Sequence, residues 1–96
     1  MGKKELKHKT HILQIDERSA DLCYYLLCRS PENISTDPPY GILIEKEMEN
    51  AVVDTYSAED CFFSSEEACS LLEGLALYQV TPISASECIE ELLNNY

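Results

Sequence analysis

The chain has 96 residues, 45% hydrophobic and 26% charged, with seven Lys or Arg against eighteen Asp or Glu and a formal net charge of −11. That length makes one small domain burying about two-thirds of the surface its unfolded chain exposes, so a deep catalytic cleft would consume much of the core. The composition excludes a disordered chain, the acid surplus repels phosphate backbones, and no stretch approaches the roughly 20 apolar residues of a membrane span.

The first eleven residues hold Lys3, Lys4, Lys7 and Lys9 against Glu5, while residues 12–96 hold seventeen acids against Arg18, Arg29 and Lys46. Residues 1–9 are therefore expected to be a basic head outside the fold, with residues 10–96 forming a single domain. Because Lys3–Lys9 leads into a polar alternating segment and not a signal-peptide core, the expected location is the cytosol.

In chain order, Thr10–Asp16 alternates apolar and polar residues as an edge strand does, with Ile12, Leu13 and Ile15 as its apolar members. Leu22–Cys28 is apolar on both faces and rich in residues that suit a pleated sheet, which predicts a central strand. Ser30–Pro39 contains three prolines and predicts a loop. Tyr40–Lys46 and Ala51–Tyr56 flank a short polar connection and predict a hairpin, in which Tyr40, Ile42 and Ile44 share a face. Ala51, Val53 and Thr55 are expected on one face of the second strand, with Val52 and Tyr56 on the other.

The period then changes. Ser64 with Glu67 forms a capping box, with Phe62 or Phe63 as hydrophobic staple, and Ala68, Leu71, Leu72, Leu75 and Tyr78 give an apolar helical stripe that Thr81-Pro82 ends. Ser84 and Glu87 suggest a second capping box ahead of Ala85, Cys88, Ile89, Leu92 and Leu93. Neither helix is long enough to stand alone. The expected fold is α+β: an antiparallel four-stranded meander followed by two C-terminal helices (ββββαα) packed on one sheet face.

Tyr40-Gly41-Ile42, Ala51-Val52-Val53-Asp54 followed by Tyr56-Ser57, and the Val80-Thr81-Pro82 break resemble, in that order and spacing, a small family of uncharacterised proteins of about a hundred residues from anaerobic Gram-positive bacteria. The resemblance covers residues 22–93 and rests on structural motifs. It implies a bacterial cytosolic setting and carries over no functional residue. Ile83-Ser84-Ala85-Ser86 departs from the family's more usual His-Leu-type continuation after Pro82.

Candidate chemistries are few. Five cysteines (Cys23, Cys28, Cys61, Cys69, Cys88), odd in number and without a Cys-x-x-Cys pair, read as packed thiols rather than a disulfide framework or zinc site. Both histidines, His8 and His11, lie in or beside the basic head, so no metal and no cofactor is expected. Cys61, just ahead of a helix start, is the one candidate reactive thiol, without a histidine in the predicted domain to serve as its base. No catalytic residue is assigned, and the chain is expected not to be an enzyme.

A sheet covered on one face leaves the other for a partner. The expectation is a small noncatalytic protein-interaction module, able to form a homodimer, without specific nucleic-acid or membrane binding. Its apolar patch is placed at Tyr25, Leu27 and Leu43, and its acidic surface at Glu66, Glu67, Glu90 and Glu91. The alternatives are an acidic DNA mimic that occupies a nucleic-acid-binding protein, and a thiol redox sensor using Cys61. The helix acids have capping and solvated roles, whereas Glu45, Glu47, Glu49 and Asp54 on strands and turns have none evident in the sequence.

Overall fold

A computed structural model describes residues 3–13, 18–30 and 38–94, the side chains of Asp60, Cys88 and residues 90–94 excepted. Four strands, β1 (Lys3–Leu13), β2 (Ser19–Cys28), β3 (Tyr40–Met48) and β4 (Ala51–Phe62), precede two helices, α1 (Ser65–Leu77) and α2 (Pro82–Asn94). The strands form one antiparallel sheet in the order β1-β2-β3-β4, with β2 and β3 inside as their two-sided apolar runs require. Both helices pack on one face of it, α1 toward β1 and β2, α2 toward β4 and β3. The expected ββββαα meander is the observed architecture.

The core lies between that face and the helices. Leu22, Tyr24 and Leu26 of β2 and Ile42 and Ile44 of β3 meet Ala68, Leu72 and Leu75 of α1 and Ala85 and Ile89 of α2. The chemistry is apolar with one satisfied exception: the Tyr24 hydroxyl donates a 2.8 Å hydrogen bond to the Val80 carbonyl, so burying it leaves neither group unpaired.

Several expectations are corrected. β1 begins at Lys3, not Thr10, so the basic segment is a hydrogen-bonded edge strand and not a head outside the fold. The pairing of Leu6 with Tyr25 and of His8 with Tyr24 leaves Lys7 as an extra residue, a β-bulge that reverses which parity faces the helices. Leu6 therefore points to the open face, while His8, Thr10 and Ile12 point to the helices.

A second irregularity falls between Lys46 and Glu47, which pair with Asp54 and Val52. Val53 is the bulged residue, and Thr55 shares the open face with Val52, while Ala51 and Tyr56 share the other. The segments 14–17 and 31–37, which include most of the expected proline loop, lie outside the described residues. The loop's base is closed by the Arg29 N–H donating to the Pro39 carbonyl at 2.9 Å.

The β3–β4 connection is two residues, Glu49 and Asn50, both at positive φ (53° and 66°), as a type I′ turn demands. At the first helix, Ser64 accepts from the backbone N–H groups of Glu66 and Glu67, as its capping role predicts. Of the two staple candidates, Phe62 packs against the core and Phe63 is exposed. The helix ends in a Schellman motif: Val80 N–H to the Leu75 carbonyl, Gln79 N–H to Ala76, and Gln79 at φ 52°. That reversal leaves Tyr78 exposed instead of continuing the buried stripe.

Pro82 opens α2 rather than merely ending α1. Thr81 caps it, with Oγ1 accepting from the Ser84 N–H, so the cap lies three residues ahead of the expected Ser84. Proline suits the first helical position because its missing N–H would have had no partner there.

Candidate functional site

The face of the sheet turned away from the helices is covered by neither of them, although the β4 backbone at Ala58 and Glu59 closes over Gly41 at one end of it. Alternation along β2 puts Cys23, Tyr25 and Leu27 there, since Leu22, Tyr24 and Leu26 face the helices. Cross-strand register extends the patch. Tyr25 lies between Leu6 of β1 and Leu43 of β3, and Leu27 lies between Lys4 and Gly41. Tyr25, Leu27 and Leu43 are partly buried by their neighbours, and Leu6 is 48% exposed. The three apolar residues expected to form one surface do so, with Leu6 as a fourth member.

Charges frame this patch. Lys4 and Lys9 stand on β1, Asp21 on β2, and Glu45 and Glu47 on β3. Lys4 Nζ donates to Glu45 at 3.5 Å and sits 4.6 Å from the centre of the Tyr25 ring. Burial first, and then the negative charges of ionised Cys23 and of Glu45, push the Tyr25 hydroxyl up to about 12. Further along, Lys9 lies 3.9 Å from Asp21, which also makes a 2.8 Å contact with His11 Nδ1.

Cys23 sits between Lys9 and Glu45 in register and is almost fully buried. Burial, and then Glu47, push its thiol up from the ordinary range, so the thiolate is disfavoured. Gly41 on the same face is required by a close approach: a Cβ there would run into the Ala58 carbonyl oxygen and lie 2.9 Å from Glu59 Cα.

The acidic candidates do not join the patch. Glu66 and Glu67 occupy the first turn of α1, in the layer behind the sheet, and the side chains of Glu90 and Glu91 lie outside the described residues. Cys61 lies in β4 and not in the segment capping α1, and its S–H donates to the Glu59 carbonyl at 3.2 Å. Among the described residues no group of three or more His, Cys, Asp or Glu is placed to hold a metal, and no helix is long and apolar enough to cross a membrane.

A shallow depression of about 200 Å³ at the end of the sheet is lined mainly by polar groups, including His11, Asp21, Glu47 and Glu49. It is not the apolar cleft with convergent polar groups that a small-molecule site favours.

Lys4, Leu6, Lys9 and His11 were not expected at any site, because a lysine-rich strand containing one leucine and a parity reversal shows no alternation. Glu45 and Glu47 carried a signal, being acids inside a strand with no capping or turn role. A family of unknown function (DUF6514) matches residues 3–95, which includes β1. No curated protein and no solved structure matches the chain.

Proposed function

From the premise that the chain belongs to DUF6514, a family of unknown function, we propose that it is a small noncatalytic interaction module whose docking surface is the open face of the sheet. One observation carries this: Leu6, Tyr25, Leu27 and Leu43 are contiguous within a charged rim, on the face turned away from the helices, while the opposite face already holds a complete core. Contiguous apolar surface rimmed by polar groups is the usual form of a protein-binding site. The acid surplus discourages nucleic acid as the partner and favours a protein. The setting is the cytosol of a bacterium, a reading supported by the family resemblance and by Cys23, Cys28, Cys61 and Cys69 standing as thiols.

Neither alternative gains support from an observation. A DNA mimic wants its carboxylates ranged along one surface. Here Asp21, Glu45 and Glu47 stand on the open face beside lysines, whereas Glu66, Glu67, Glu73 and Glu87 belong to the helices. A redox role for Cys61 wants an activating environment, and one contact of its thiol is with the Glu59 carbonyl oxygen, which supplies no positive charge.

The test is photo-crosslinking in living cells, with a benzophenone amino acid in place of Leu43 and, as control, in place of the exposed helix residue Ile83. Protein adducts at position 43 well above those at position 83 are expected. Equal yields at the two positions, or none at 43, overturn the docking surface.

A further inference from the structure

The register of the open face specifies its occupant. At successive levels along β2, Leu27 lies between Lys4 and Gly41, Tyr25 between Leu6 and Leu43, Cys23 between Lys9 and Glu45, and Asp21 between His11 and Glu47. The row on β1 and the row on β3 are thus complementary at the three levels from Tyr25 to Asp21: apolar beside apolar, and base beside acid twice.

Resting on the docking surface proposed above, we propose that its occupant is a second copy of this chain, the two sheets packing face to face about a two-fold axis that runs along β2. Rotation about that axis lays β1 of each copy over β3 of the other. Leu6 then meets Leu43 of the second copy, Lys9 meets Glu45, and His11 meets Glu47. Tyr25 lies on the axis against its own symmetry mate, the isologous arrangement of a closed dimer. Sheets packed this way stand about 10 Å apart and cross at roughly 30°, which preserves contacts close to the axis.

Charge decides between the possible two-folds. An axis across the strands would set β1 on β1 and β3 on β3, lysines against lysines and glutamates against glutamates, and like charges directly opposed are destabilising. Lys4 and Lys9 remain available in the proposed arrangement because their contacts within the chain are loose, at 3.5 and 3.9 Å, and both side chains are about half exposed.

The experiment is light scattering on the full chain between about 1 and 100 µM, a range that brackets ordinary dimer affinities. The wild-type chain is expected to dimerise. Lys9→Glu and Glu45→Lys should each raise the dissociation constant at least about tenfold, and the two changes in one chain should restore it to within about threefold of wild type. An equimolar mixture of the single variants should form the heterodimer, visible by native mass spectrometry. Circular dichroism checks folding; should Glu45→Lys unfold, Leu6→Asp at a half-exposed site replaces it, with loss of the dimer expected.

A chain that stays monomeric throughout, or a double variant no tighter than the singles, overturns the dimer. If the wild type is monomeric yet the probe at position 43 captures another protein, the dimer falls and the docking surface stands. Monomer without any adduct overturns both.

Discussion

The two faces of this sheet are built from alternate residues of the same strands, yet they solve burial in different ways. Toward the helices, Leu22, Tyr24, Ile42 and Ile44 are fully buried and the tyrosine hydroxyl is satisfied by a backbone carbonyl. On the other side, Tyr25 and Leu43 are only partly buried, and the Tyr25 ring lies under the Lys4 ammonium at the rim. Adjacent residues such as Tyr24 and Tyr25, or Leu43 and Ile44, therefore perform separate tasks. One face carries the stability of the domain, and the other is held in a form that a partner can cover without unfolding anything.

The sharpest way to break that contrast is to truncate two neighbours on β3. Ile44→Ala opens a cavity in a closed core and should cost about 2–5 kcal/mol, a large part of what a 96-residue domain possesses. Leu43→Ala, measured by urea denaturation in dilute solution where no dimer forms, should cost under about 1.5 kcal/mol, because less apolar surface returns to water. Equal losses would mean that the open face is a second core. The same Leu43→Ala change should weaken self-association, which Ile44→Ala reaches only through the fold.

Alkaline titration compares the two tyrosines next. Both hydroxyls are pushed up to about 12, Tyr24 by burial first and Tyr25 by burial followed by neighbouring negative charges. An unfolded tyrosine ionises near about 10, so between the two values the unfolded chain releases protons that the native chain retains. Stability is therefore complete below about pH 10 and is lost as pH rises toward 12. For the fully buried Tyr24 this amounts to roughly 2–3 kcal/mol. Tyr24→Phe should flatten the fall, read as the denaturation midpoint against pH, at the cost of leaving the Val80 carbonyl without its donor. Tyr25→Phe should change it less, since water screens the open face.

The fold was largely legible in the sequence because β2, β3 and the helices each repeat their pattern without interruption. Two-sided apolar residues marked β2 as internal, the period change at Ser64 marked the first helix, and three of the patch residues followed from alternation. The errors arose where an extra residue breaks the count. The bulge at Lys7 places Leu6 and Ile12 on opposite faces although both are even-numbered, so β1 has no visible period, and the bulge at Val53 does the same to β4.

Gly41 was visible as a glycine in a strand, but its cause, the close approach of the β4 backbone, is a tertiary fact. The site was half legible for a related reason. Its apolar members lie on an inner strand, whereas its cations belong to a segment whose composition resembles a solvated tail.

The smallest effect tests whether the charged rim contributes to the fold. Lys4 donates to Glu45 at 3.5 Å and stands over the Tyr25 ring, but its side chain is half exposed, and such pairs contribute roughly 0–1 kcal/mol after desolvation and lost side-chain freedom. Lys4→Met keeps the apolar stem and removes the charge. Urea denaturation of the monomer should therefore shift by less than about 1 kcal/mol, and added salt should shrink the difference further. A loss of about 2 kcal/mol or more would make the rim part of the folding core and would erase the division between the faces. A small loss leaves Lys4 with no large stabilising role inside the monomer and keeps the stability of the domain on the helix face.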